Sequence, residues 1–362
     1  MICCNKCFCD SQLIPIIESL NQKGNCLTCG SSGVYIYDTN KNFELTEYFD
    51  NFLSIYTPSH LLPSEIPKSQ TFMLKDELNT NWNILNKLQP TKIYDIITNI
   101  CQEKYKDNPE IFDSPVGITE FKDIDYLREH SLLRTNDWEE FVRALKRENR
   151  FHTNLINLEI LNRFCSFIRK AYKKGDTFYR GRISSSTGIE SSQMGAPPYE
   201  KASAGRANSL GISCLYLAKD VETTIHEIRS GAFDFVTVGK FELQEDIIVV
   251  DLKAIDKISP FVEKLDCMEY AINKEHLNKI NSEMGKAMRR SDSSLDYVPT
   301  QYISDFIKSI VHKGKPEYAG IEYNSTMNPS GFNLAIFDPK LFDCINVETY
   351  KIKDIRYTKE LI

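Results

Sequence analysis

The chain has 362 residues, of which 41% are hydrophobic and 26% charged, and its formal net charge is −6. This is the composition of a globular protein long enough for two or three domains, with no excess of Gly or Pro. The acidic balance argues against a dedicated nucleic-acid binder, which would show a basic face. No apolar run approaches the roughly 18 residues that span a bilayer. The N-terminus, MICCNKCFCD, lacks the basic n-region and apolar core of a secretory signal, so a cytoplasmic protein is expected.

Six of the eleven cysteines fall at Cys3, Cys4, Cys7, Cys9, Cys26 and Cys29. Cys4-x2-Cys7 and Cys26-x2-Cys29 form two CxxC pairs, and tetrahedral zinc takes four such thiolates. Between them Leu13, Ile14, Ile17 and Leu20 give a short helical pattern, and Val34–Tyr37 is strand-like. A segment this small has too little core to fold alone, and a metal would supply the stability. Cys3 and Cys9 compete as ligands. Four cysteine ligands leave no open position, so a structural zinc knuckle is expected over 1–40. The scattered Cys101, Cys165, Cys214, Cys267 and Cys344 read as buried thiols in a reducing compartment.

From Phe43 to about Tyr172 the apolar period is helical. Successive stripes are Leu45, Phe49, Phe52, Leu53, Tyr56; Leu78, Trp82, Leu85; Ile93, Ile96, Ile97, Ile100; Trp138, Phe141, Val142, Leu145; and Leu158, Leu161, Phe164, Cys165, Ile168, Tyr172. Asn136 or Asp137 is a candidate N-cap, and Pro109–Pro115 reads as a loop. A helical domain is expected over 41–172. Arg147-x4-His152 resembles the Arg-x4-6-His motif of HEPN ribonucleases, although Arg143, Lys146 and Arg150 also suit a solvated basic helix face.

After Gly175 short strands are expected at 177–179, 214–218, 235–243, 247–252, 320–323 and 332–337, with helices at 221–229 and 301–312. Together these predict an α+β domain over 173–362. No G-x-G-x-x-G or Walker A string is present. Four strings stand out: Phe178-Tyr179-Arg180-Gly181-Arg182; Gly205-Arg206-Ala207-Asn208-Ser209-Leu210-Gly211; Leu215–Asp220 with a helix carrying Glu227; and Ile321–Ser325 followed by Gly331-Phe332-Asn333-Leu334.

In this order the strings resemble the RES domain, known best from bacterial toxin–antitoxin toxins, whose fold is similar to ADP-ribosyltransferases and whose members consume NAD. The CxxC pairs and helical segment resemble the zinc-containing HEPN/RES N-terminal domain fused to such proteins. The resemblance implies roles for Arg180, Tyr216, Glu227 and Ser325. Ala207 stands where the family has an aromatic residue, and the charged stretch 256–299, with Glu275, Lys279, Glu283, Arg289 and Arg290, is an insert that could gate the site or contact a partner. NAD is the implied substrate. A cognate antitoxin or immunity protein and a homo-oligomer are possible partners, with no membrane and no nucleic acid.

Cleavage of the nicotinamide–ribose bond passes through an oxocarbenium-like ribose and a neutral leaving group. Arginine forks suit phosphate oxygens, which points to Arg180 and then Arg206, with Asn208 beside them as a binding residue. Glu227 would stabilise the ribose cation. Tyr216 would stack on nicotinamide or hydrogen-bond to it, and Ser325 would position a ribose hydroxyl or the attacking water or phosphate. His226 is set aside because neighbouring helix residues point about 100° apart. Glycohydrolase or phosphorylase activity is expected; protein ADP-ribosylation, or RNA cleavage through Arg147 and His152, are the alternatives.

Overall fold

A computed structural model describes residues 1–286 and 293–355. Arg289 and Arg290 lie outside the described residues. The fold is α+β, as expected. Two compact units are present: Met1–Thr135 together with Lys257–Lys274, and Asn136–Asp256 together with the chain from Glu275 onward. No helix among the described residues is long and apolar enough to cross a membrane.

In the first unit Ile2–Cys4, Val34–Asp38 and Lys23–Gly24 form a small antiparallel sheet with Val34–Asp38 in the middle. The knuckle is tied by backbone bonds to later chain: Cys9 N donates to the Ile84 carbonyl at 2.9 Å and Asn86 N to the Cys7 carbonyl at 2.8 Å. The expected helices are present at Thr46–Leu53 and Pro90–Ile100, and each buries the predicted stripe. A three-stranded sheet of Thr57–Pro58, Pro115–Gly117 and Phe72–Met73 interrupts what the apolar period reads as purely helical. Short strands of two or three residues carry too few alternations to be seen in sequence.

The stretch 257–274, expected as part of an insert, completes this unit's core. Phe261 packs on Phe49 and Phe52 with ring centroids 5.3 and 5.6 Å apart, and Tyr270 packs on Trp82 at 5.6 Å. The helix that begins there runs on from Cys267 to Gly285.

In the second unit eight strands make one sheet: β1 (Arg169–Tyr172), β2 (Thr177–Ser184), β3 (Leu215–Ala218), β4 (Phe235–Leu243), β5 (Ile247–Asp251), β6 (Gly320–Asn324), β7 (Phe332–Ile336) and β8 (Phe342–Lys351). Their order is β8-β4-β2-β3-β7-β6-β5-β1, and only β5–β6 is parallel. Phe178, Leu215, Leu217, Phe241, Val249, Leu334 and Ile336 form its apolar core. β1 lies where a helical stripe was expected to end. β8, the longest strand, was not expected at all, because its polar, half-exposed sequence hides the period.

Helix α1 (Trp138–Arg147) starts at Asp137, whose carboxylate accepts from Glu140 N while Glu140 caps back, a capping box. With α2 (Leu158–Phe167) it packs on α3 (Val298–Ser309). Both helices therefore fall in the second unit. The boundary between compact units lies at 135/136, whereas the sequence pattern put the end of a helical domain at 172. Arg147 is the last residue of α1, and His152 lies in the following loop; both are exposed.

Candidate active site and metal centre

β2 and β3 are neighbours in the sheet but pair at one position only, Tyr179 with Ala218. Ladder hydrogen bonding is confined to that pair, and a cavity of about 260 Å³ lies beside it. It is lined from β2 by Tyr179, Arg180 and Gly181, and from β3 by Tyr216, Leu217 and Ala218. Thr224, Glu227 and Ile228 enter from the helix Val221–Glu227, and Tyr323 and Asn333 from β6 and β7. Arg180, Tyr216 and Glu227, far apart in sequence, thus share one cavity.

The Glu227 helix starts where the sequence requires. Asp220 caps it by accepting from Thr223 N at 2.8 Å. It approaches β2 at Gly181, where a Cβ would sit 2.7 Å from Thr224 Cγ2, so only glycine admits this packing. Glu227 Oε1 accepts from Ser325 Oγ at 2.5 Å and from Asn333 Nδ2 at 2.8 Å. Ser325 Oγ in turn accepts from Asn328 N at 3.1 Å. Asn328 Nδ2 donates to Thr223 Oγ1 at 2.9 Å, which ties the β6–β7 loop to the same helix. The exposed His226 is not among the cavity residues.

Arg180 Nη1 is buried with no hydrogen-bond partner among the described residues. Burial, and then the neighbouring Arg182 guanidinium, lower its pKa. A buried guanidinium donor left unmet is costly, and an anionic ligand would satisfy it.

The glycine-bounded loop is organised from within. Tyr216 hydroxyl donates to Asn208 Oδ1 at 2.7 Å and accepts from Ala207 N at 3.0 Å. Asn208 Nδ2 lies 2.8–3.1 Å from the carbonyls of Ser203, Ser209 and Ile212. Asn208 therefore braces the loop, and neither it nor Arg206 is among the cavity residues. Arg206 donates to the Glu283 carbonyl at 2.8 Å and lies over the Tyr297 ring. Sequence reasoning passed over Tyr323 and Asn333. The register that sets them opposite each other is the signal, and it is visible only once β6 and β7 pair.

In the first unit the Sγ atoms of Cys4, Cys7, Cys26 and Cys29 lie within 4.8 Å of one another, a group able to hold a metal ion. Cys4–Cys7, Cys4–Cys29 and Cys7–Cys26 are 3.8, 3.5 and 3.6 Å apart. A tetrahedral ion with bonds of about 2.3 Å to sulfur has edges of about 3.8 Å, so the donor set fits. Gly30 at φ +78° turns the chain after the second pair, and Cys29 N donates to Cys26 Sγ at 3.4 Å. Burial pushes the Cys4 thiol up to about 12. At Cys29 burial also raises the pKa, but hydrogen bonds from Ser31 and the neighbouring thiols outweigh it and hold it at about 6. The two competitors turn elsewhere: Cys3 Sγ donates to the Tyr37 carbonyl and Cys9 Sγ to the Asn83 carbonyl.

None of the curated proteins matches the sequence. The family model described as RES domain matches residues 181–359, beginning one residue after Arg180. Glu227, Ser325, Tyr323 and Asn333 all fall within that span, and residues 181–359 of this chain belong to the RES domain family.

Proposed function

We propose that this protein cleaves the bond between nicotinamide and ribose in NAD. Membership of the RES family supports an NAD-related, toxin-like role. The observation that carries the specific reaction is a fixed carboxylate, Glu227, in the same cavity as Arg180, whose buried donor has no partner among the described residues. In this reading Arg180 meets an oxygen of the pyrophosphate or the adjoining ribose. Glu227, held through Oε1, turns Oε2 to the ribose. The C1′–N bond breaks with its electron pair going to nicotinamide, which leaves neutral. The carboxylate stabilises the positive ribose until water adds and loses a proton.

Ser325 donates its hydroxyl hydrogen bond to Glu227 and therefore acts here as a positioning residue. Four cysteine ligands leave no open position for water, so zinc at Cys4, Cys7, Cys26 and Cys29 holds the N-terminal fold and takes no part in the chemistry. A cell that makes an NAD-consuming enzyme needs a restraint, and an antitoxin or immunity protein fits that need.

Incubating the purified protein with NAD and following nicotinamide release tests the reading. Release by wild type and its loss in Glu227→Ala are expected; equal release by wild type and Glu227→Ala overturns it. Product analysis with and without phosphate separates hydrolysis from phosphorolysis, and labelled NAD with cell protein detects transfer to a side chain. RNA cleavage lost in His152→Ala but kept in Glu227→Ala would move the activity to the exposed Arg147–His152 pair.

A further inference from the structure

Three tyrosines line the cavity, Tyr179, Tyr216 and Tyr323, and the hydroxyls of the last two are in opposite situations. Tyr216 is fully engaged: its proton goes to Asn208 Oδ1, and its oxygen receives Ala207 N. Gly205 packs so close that a Cβ there would lie 2.5 Å from this hydroxyl. The Tyr216 phenol is therefore a fastener of the 205–211 loop, and using it on a ligand would undo the loop.

Tyr323 is 5% exposed, yet its hydroxyl makes no hydrogen bond among the described residues. A phenol in such a place ordinarily finds a partner. It stands directly across from Asn333, the residue that holds Glu227 Oε1. Burial, and then the Glu227 carboxylate, push its pKa above the ordinary tyrosine range, so the group keeps its proton at neutral pH. A neutral phenol beside a carboxylate, with no hydrogen-bond acceptor among the described residues, is a donor waiting for an acceptor on a ligand.

We propose that Tyr323, rather than Tyr216, donates a hydrogen bond to the substrate, at an oxygen of the nicotinamide–ribose end of the dinucleotide. The inference rests on the NAD reading of the same cavity. The chemistry favours that end of the molecule. Glu227 and Asn333 flank the Tyr323 position, and the sugar hydroxyls and the carboxamide carbonyl all accept from a neutral donor. The negatively charged pyrophosphate belongs with Arg180 instead. Tyr323 and Glu227 together would grip the ribose end by one donor and one acceptor, which selects a neutral polyhydroxylated group.

The test compares Tyr323→Phe and Tyr216→Phe in the full-length protein, reading NAD affinity by calorimetry, kcat/KM by nicotinamide release, and Tm. Because its hydroxyl bonds nothing among the described residues, Tyr323→Phe should leave Tm unchanged while lowering kcat/KM about tenfold, the worth of one neutral hydrogen bond at its upper range. Tyr216→Phe should lower Tm. Wild-type affinity and kcat/KM in Tyr323→Phe, in a preparation whose wild type turns NAD over, overturn this assignment and leave the NAD reading standing. A wild type that neither binds nor cleaves NAD overturns both.

Discussion

Glu227 Oε1 is held by two donors at once, Ser325 Oγ at 2.5 Å and Asn333 Nδ2 at 2.8 Å, which come from the two sides of the β6–β7 hairpin. A carboxylate fixed through one oxygen has its other oxygen aimed, and aim is what a transition state of developing positive charge needs. Asn333→Ala removes a hydrogen bond to a charged acceptor, worth about 1.5–3 kcal/mol. The expected result is a loss of roughly 10- to 100-fold in kcat with a small change in KM. Asn333→Asp should lose more, since it sets a second carboxylate against the first. Steady-state kinetics of the two variants check both statements.

Gly181 supplies a test in which no chemical group is removed. A methyl there would press on Thr224 Cγ2 at 2.7 Å and Ile228 at 3.3 Å, so the helix bearing Glu227 must lift from β2. Overpacking of this kind costs about 1–3 kcal/mol. Gly181→Ala should therefore lower Tm by a few degrees and reduce nicotinamide release by roughly tenfold or more, because displacement of the carboxylate by a fraction of an ångström spoils its alignment. Full activity in this variant would show that the helix position is not what sets the rate.

Metal content is checked directly. Elemental analysis should find one zinc per chain, abolished in Cys7→Ser. Removal by a strong chelator should unfold the segment carrying the two CxxC pairs, seen as new protease cleavage before residue 40, because the metal stands in for a core this segment lacks. Acid should release the ion too, since the ligating thiolates must be free of protons.

Glu77 gives the chain a pH signature. It is 7% exposed, and burial raises its carboxyl from 4.5 to about 7, against opposing hydrogen bonding from Asn81 and attraction to Lys274. The folded state therefore holds a proton that the unfolded state has already lost between pH 4.5 and about 7. Stability is greatest below the unfolded pKa and falls as pH rises through the folded one. The loss amounts to about 3 kcal/mol. Glu77→Gln removes the titration, so it should raise Tm at pH 8 relative to wild type and change it little at pH 5. Equal Tm differences at the two pH values would refute the assignment.

The cysteine spacing carried its own geometry, because a CxxC turn places two sulfurs by local backbone alone, and the four sulfurs do gather. The Ile93–Ile100 stripe, the Asp137 and Asp220 caps and the Phe235–Leu243 alternation were equally local and appear where the period put them. Strands β1 and β8 were not legible: one is short, and the other is an edge whose polar residues face solvent, so neither leaves an apolar rhythm. The aromatic core of the first unit was hidden for a different reason, since Phe261 and Tyr270 return to it from more than 120 residues beyond the end of the segment they complete.

What the sequence determined by itself was the inventory of the site: an arginine beside a glycine, a capped helix ending in Glu227, a serine after a strand, and four thiols in two turns. Only the tertiary structure decided which of these lie together. The split between β2 and β3 made the cavity, the β6–β7 register brought Asn333 to Glu227 and Tyr323 to the cavity, and the loop bonds engaged the Tyr216 hydroxyl and the Asn208 side chain. Local sequence fixes backbone turns and caps within a few residues, whereas a hydrogen bond between residues 227 and 333 exists only after a sheet has formed around it.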